Sequence, residues 1–339
     1  MNVIKLHEQV WAGLQGRRAQ LPHSLLLIGQ KGLGKFDLAK QFAASLLCES
    51  TQIDGLACGK CLACNWYAQG NHPDFRLLQP DALGEESEPE EGKKKPSQQI
   101  TIDQVRGLDE FLAIGTHRGG LRVVVVNPAE AMNRNAANAL LKTLEEPAAG
   151  TLFLLVSGEP MRLLPTIRSR CQVVPVPLPN ARLAEKVLSE EGVAEAARWL
   201  ALAGGSPGLA IELAGSGQLA WLDILIKRLA AGKNVDPLGM AAELEKAVKD
   251  SKGKLLLKHV VEALQKWGVD LALAKNGMPV RYFLPQSATI SGLADMIPAV
   301  RLIHSYRKLI SSRQAAEQPL NARLFLEGLF LDYRALFAN

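Results

Sequence analysis

The sequence predicts a parallel α/β domain built around a phosphate-binding type of loop, followed by an all-helical remainder. Three observations carry that expectation. Residues 25–28 (Leu-Leu-Leu-Ile) run directly into Gly29, Gly32, Gly34 and Lys35, the G-x-x-x-x-G-K spacing of a phosphate loop set between a buried strand and a helix. Two more short apolar runs, 121–126 and 152–156, have the length of buried strands and are separated by a helical pattern. From Gln218 onward apolar residues recur at helical spacing, as in Leu222/Leu225/Ile226/Leu229 and Val260/Val261/Leu264/Trp267.

At 339 residues the chain exceeds what one compact core organises, so two or three domains are expected. Hydrophobic residues at 47% and charged residues at 22% are the balance of a water-soluble globular chain. The first residues form no apolar signal region and no stretch approaches the length of a membrane span, so the expected compartment is the cytoplasm, with no membrane partner. A net charge of +5 and a pI of 8.9 permit contact with nucleic acid without requiring it, because the lysines and arginines form no dense block.

Residues 1–20 read as one amphipathic leading helix with Val10, Trp11 and Leu14 on its apolar side. After the loop, Leu38, Ala39, Phe42, Ala43, Leu46 and Leu47 mark its helix. The loop is defective at its last position. The hydroxyl that would hold Mg²⁺ is replaced by Phe36.

Cys48, Cys58, Cys61 and Cys64 follow within seventeen residues, spaced by Gly55 and Gly59. Four thiolates so clustered suit a tetrahedral structural Zn²⁺ site with no open coordination position. Two disulfides or ordinary buried cysteines are the other readings; a cytosolic setting disfavours the first and such clustering the second. His72-Pro73-Asp74 precedes a strand at 75–78, with His72 suited to a turn role or to a further metal ligand. Residues 84–96, dominated by Glu and Lys with Gly and Pro between them, cannot bury apolar surface and are expected to be a mobile insertion.

Thr101 and Gln104 have capping-box spacing at the head of a helix carrying Ile102, Val105, Leu108, Phe111 and Leu112. After the strand at 121–126 a working NTPase would carry an acidic metal ligand and a catalytic base. This chain has Asn127 and Pro128. Asparagine is a poorer Mg²⁺ ligand, and proline cannot take a proton from water. Glu130 is the nearest carboxylate, expected on the following helix. Residues 138–147 read as a helix stopped by Pro147. Arg168 and Arg170 fall on an expected turn before a strand, as surface ion-pair partners or as groups reaching a neighbour's phosphate; the pattern does not choose. Pro175, Pro177 and Pro179 mark a boundary, so the expected domains are 1–178, 179–217 and 218–339, the first carrying the cysteine module at 48–64 and the insertion at 84–96.

Together these motifs resemble one family. The degenerate loop, the C-x9-C-x2-C-x2-C module, Asn-Ala-Leu-Leu-Lys-Thr-Leu-Glu-Glu-Pro at 138–147, Ser-Arg-Cys at 169–171 and Gly-Ser-Pro-Gly at 205–208 are similar to the delta prime subunits of bacterial DNA polymerase III, in the clamp-loader branch of the AAA+ proteins. The resemblance covers the first two-thirds of the chain by motif and the rest only by helical character. It implies a RecA-like AAA+ domain with a zinc module, a small helical lid and a helical collar. The collar would join a five-membered ring with gamma/tau and delta subunits, which loads the sliding clamp onto primed DNA.

Within that ring it implies a rigid stator without ATPase activity, ATP binding being weak or absent. DNA-directed DNA polymerase activity would then belong only to the larger assembly. The family's active members carry Thr or Ser at the position of Phe36, Asp-Glu at Asn127-Pro128 and a lid arginine at Gly208. Ser157 matches the polar sensor residue, and Arg170 matches the arginine inserted into a neighbour's ATP site. Two other readings remain: an active P-loop ATPase using Lys35 and a substitute metal ligand, and a zinc-bearing DNA-binding module.

Overall fold

The computed structural model describes residues 1–84, 96–116, 120–215, 219–251, 253, 255–316 and 318–338, so nearly all of the expected insertion at 84–96 lies outside the described residues. They divide into two compact units, Met1–Leu183 and Ala184–Asn339.

The first unit is organised on a five-stranded sheet in the order β2-β3-β4-β1-β5. Its strands are β1 (Ser24–Ile28), β2 (Phe75–Leu78), β3 (Arg122–Val126), β4 (Thr151–Ser157) and β5 (Gln172–Pro175), all paired in parallel. Parallel strands need crossovers that cover both faces, which is why the central strands read as unbroken apolar runs. Leu26, Val124, Phe153 and Leu155 face one core with Val105, Leu108, Leu140 and Leu144 of helices Ile102–Ala113 and Arg134–Glu145. Leu25, Leu27, Val123, Val125 and Leu154 face the other, with Trp11, Leu14 and residues Leu38 and Phe42 of helix Lys35–Leu47. Full burial of each such side chain contributes roughly 1.5–3 kcal/mol.

β1 lies between β4 and β5, although the chain leaves it for the far edge of the sheet. The crevice beyond the carboxyl ends of β1 and β4 is therefore a topological switch point, where open α/β sheets bind ligands.

The leading segment departs from expectation. It forms helix Val3–Leu6, helix Glu8–Gly16 and a 3₁₀ turn Arg18–Gln20, broken at His7. The break turns His7 inward, where its Nε2 lies 2.8 Å from the carbonyl oxygen of Leu33. The capping box forms: the Thr101 backbone N–H donates to Gln104 Oε1 at 2.9 Å. Residues expected as a turn before β5 are instead helix Pro165–Arg170, begun by proline at its first position and seated by buried Ile167.

Arg122 opens β3 while 5% exposed. Its guanidinium donates to the carbonyls of Phe111 (3.3 Å), Leu112 (2.7 Å), Ile114 (2.6 Å) and Ala149 (3.3 Å), three of them at or just beyond the end of a helix whose last carbonyls lack partners.

The second unit is helical. Helices Ala196–Leu202, Pro207–Gly215, Leu219–Leu229, Pro237–Asp250, Leu257–Lys275, Ser287–Asp295, Ala299–Ala315 and Ala322–Ala335 enclose an apolar core that includes Trp199, Leu225, Met240, Leu244, Trp267 and Phe330. Buried Asp270 accepts the backbone N–H groups of Arg281 (2.7 Å), Tyr282 (3.0 Å) and Phe283 (2.8 Å), fixing the segment before Ser287–Asp295. Among the described residues no single helix is long and apolar enough to cross a membrane.

Candidate functional site

β1 delivers Gly29, Gly32, Gly34 and Lys35 to one curl at the carboxyl end of the sheet. A side chain at Gly29 would collide with the carbonyl oxygen of Val176. Gly32 (φ +79°) and Gly34 (φ +74°) hold left-handed backbone that suits glycine, and Gly34 caps helix Lys35–Leu47. The curl of a phosphate loop is thus present.

Its surroundings differ from those of an open loop. Lys35 is 6% exposed, and its Nζ donates to the Gln30 carbonyl oxygen of the same loop at 2.6 Å. Burial lowers the Lys35 pKa, and the Glu130 carboxylate opposes that by favouring the charged ammonium. A Cβ at Gly34 would run into Val3 and lie 3.2 Å from Met1 Cε, so the N-terminal helix packs against the loop. At the position of the missing hydroxyl, the Phe36 ring lies 4.7 Å from Lys40 Nζ in a cation–π contact.

Asn127 and Pro128 leave the end of β3, and the chain turns at once into the 3₁₀ segment Ala129–Ala131. Glu130 sits in that turn, ahead of the helix on which it was expected. Its Oε1 accepts the backbone N–H of Gly158 at 2.9 Å and of Glu159 at 3.2 Å, just past β4. Ser157, ending β4, is fully buried, and its hydroxyl has no hydrogen-bond partner among the described residues. Neither Phe36 nor the pair Asn127-Pro128 supplies the anionic or hydroxyl oxygens by which a nucleotide site holds Mg²⁺.

Arg170 is elsewhere. It ends helix Pro165–Arg170, and its carbonyl accepts the Ser24 hydroxyl at 2.7 Å, at the first residue of β1. The loop begins at the other end of that strand, roughly 16 Å away at the rise of a strand. The Arg170 guanidinium pairs with Glu145 at 2.6 Å and donates to the Thr166 carbonyl at 3.0 Å, while its side chain keeps 34% of its exposure. Arg168 bonds Met161 Sδ at 3.4 Å. The sheet separates the arginine from its own loop.

The four cysteines come together. Their sulfurs all lie within 4.8 Å of one another, none is in a disulfide, and the set can hold a metal ion. The pairs Cys48–Cys61 and Cys58–Cys64 each stand 3.9 Å apart, against about 3.8 Å for the edge of a tetrahedron with 2.3 Å metal–sulfur bonds.

Backbone N–H groups aim at these sulfurs. Ser50 and Cys58 donate to Cys48, Lys60 and Cys61 to Cys58, and Cys64 to Cys61, at 3.3–3.4 Å. Gly59, at φ +70°, makes the tight turn of the Cys58–Cys61 knuckle. N–H donation from Lys60 and Cys61 pushes the Cys58 thiol down to about 6, whereas burial pushes Cys64 up to about 12. His72 is not in the cluster. It is buried, and its Nδ1 accepts the Asp74 N–H at 3.1 Å, a turn role.

Sequence reasoning missed the functions of His7, Arg122 and Glu145 and the aim of Glu130. The nearness of Glu130 to Asn127 was the one usable signal among them, since the partners of His7, Glu145 and Glu130 lie 25–29 residues away and those of Arg122 are backbone carbonyls that leave no mark in residue type.

Comparison with known proteins places this geometry in context. The family model described as DNA polymerase III, delta subunit, matches residues 7–180. The DNA polymerase III subunit delta' of Pseudomonas aeruginosa is 46% identical over 220 residues, covering 64% of this chain and 62% of that protein. The subunit delta' of Escherichia coli is 37% identical over 209 residues, covering 61% and 58%. DNA polymerase III subunit tau of Salmonella typhimurium is 32% identical over 188 residues, covering 54% and 26%. The matched region thus spans less than two thirds of each relative. By the match across half its length, this chain, a five-stranded parallel α/β unit followed in sequence by a helical unit, belongs to the DNA polymerase III delta subunit family.

Proposed function

We propose that the chain is a delta-prime-type subunit of a clamp loader, a stator that hydrolyses no ATP itself and lends Arg170 to the ATP site of a neighbouring subunit. The observation that carries this reading is the placing of Arg170 and the degenerate loop at opposite ends of one sheet. An arginine so placed cannot serve its own loop, whereas it can serve a loop on an adjacent subunit.

The Glu145–Arg170 pair supports the exchange this requires. Both side chains are partly exposed, and such pairs contribute only about 0–1 kcal/mol. The charge on a partner's ATP outbids a single carboxylate for the guanidinium. The packing of Met1 and Val3 against Gly34, with Phe36 in place of the metal-binding hydroxyl, supports weak or absent nucleotide binding by the chain itself.

The proposed partners are gamma/tau and delta subunits in a five-membered ring that opens the sliding clamp and places it on primed DNA in the cytoplasm. The proposed organisation is 1–178 as the AAA+ domain, 179–217 as lid and 218–339 as collar. The metal is proposed to be structural Zn²⁺ on Cys48, Cys58, Cys61 and Cys64, since four thiolates at tetrahedral spacing suit that soft ion and leave no open position.

The deciding experiment reconstitutes the ring and compares clamp- and DNA-stimulated ATP turnover for the wild type and Arg170→Ala, with assembly checked by gel filtration. Loss of roughly 10³–10⁵ in rate at the site that Arg170 completes is expected. Unchanged turnover in an intact ring refutes the trans arginine, and failure of the wild-type chain to enter the ring refutes the subunit assignment.

A further inference from the structure

Glu130 reaches from the 3₁₀ turn after β3 to the end of β4, into the switch-point crevice. One carboxylate oxygen is satisfied by the N–H groups of Gly158 and Glu159. The other, Oε2, is buried and has no hydrogen-bond partner among the described residues. A buried anionic oxygen in that state is costly unless a cation stands near it. The buried cation of the loop is Lys35, whose charged form the Glu130 carboxylate favours. The phosphate loop is close as well. A Cβ built on Gly158 would lie 3.3 Å from Glu130 Oε1 and 4.0 Å from the Lys31 backbone nitrogen.

These groups surround the place where such a loop ordinarily receives an anion. We propose that Glu130 is a tethered counter-anion of the phosphate loop: its carboxylate occupies the crevice and answers the Lys35 charge, so that the polyphosphate of a nucleoside triphosphate is repelled. This rests on the non-hydrolysing reading and gives it a cause beyond the missing metal ligands. It also opposes the remaining alternative use of Glu130, as a substitute Mg²⁺ ligand in an active site. The two roles predict opposite signs.

The test uses the full-length chain and a fluorescent, non-hydrolysable ATP analogue, titrated with and without Mg²⁺ into wild type and Glu130→Gln. Glutamine keeps the shape and can still accept the Gly158 N–H, so the turn is retained while the charge is removed. At least about tenfold tighter binding by the variant is expected, with or without Mg²⁺, because removing one unit of like charge a few ångströms from a phosphate exceeds the free energy of a tenfold change.

Equal binding by the two proteins overturns the proposal. Weaker, Mg²⁺-dependent binding by the variant overturns it in favour of a metal ligand. A second measurement is a thermal-unfolding cycle of wild type, Glu130→Gln, Lys35→Met and the double variant. The loss caused by Lys35→Met is expected to shrink when Glu130 is already neutral, and strictly additive losses overturn the proposal. Arg170→Ala in the reconstituted ring is read independently of Glu130, so failure of either idea leaves the other identifiable.

Discussion

Arg122 shows how one buried charge can serve several partners at once. Its guanidinium, at the head of β3, gathers four carbonyls from a helix end and from the segment before β4. Arg122→Met keeps much of the volume but strands those oxygens, so a loss of about 2–4 kcal/mol is expected in urea unfolding. His7 acts through proton uptake. Burial first, and then the charge of Lys35, lower its pKa from the ordinary 6.5, against the effect of the Leu33 hydrogen bond. The unfolded chain therefore gains a proton near 6.5 that the folded chain does not. Stability falls as pH drops through that value. His7→Gln is expected to flatten this part of the stability–pH curve, and an unchanged slope would show that His7 does not contribute.

At the level of elements, legibility followed burial. β1, β3 and β4 are buried on both faces, so their composition alone announced them. β5 is a four-residue edge strand of mixed exposure, readable only as the strand that had to follow Ser-Arg-Cys. The helix break at His7 was hidden because its cause, Leu33, lies 26 residues away. Helix Pro165–Arg170 was hidden because proline marks the start of a helix as readily as a turn. The cysteine cluster was legible because a ligand set able to hold one ion is marked by local spacing. Its expected behaviour is equally local. Replacing Cys61 by Ser should abolish stoichiometric zinc in metal analysis and expose 48–68 to protease, while the far-ultraviolet signal of sheet and helices persists. Full zinc retention would refute a four-sulfur site.

Across the whole molecule, the cores of the first unit and the core of the second are built from separate residues. Chelation should accordingly weaken the first, and Asp270→Ala, which strands three backbone N–H groups, should weaken the second by about 2–4 kcal/mol. Calorimetry of the two cases would read different parts of the melting profile, and identical changes would refute the assignment. The candidate site was legible in part for the same reason as the elements. Gly29, Gly32, Gly34 and Lys35 form a contiguous motif, whereas the contact of Glu130 with Gly158 spans 28 residues and the Glu145–Arg170 pair spans two helices. Spacing rules do not reach that far.

The opposed placing of arginine and loop has a consequence for any row of such domains. If each member's arginine enters the next member's loop, the row has a sense, as an arrow has a head and a tail. A member that can give but not receive fits in only one place, at the terminus where nothing need be received. Under the proposed role, the non-hydrolysing loop of this chain would therefore be a stop mark that fixes where the row begins and in which direction it is read.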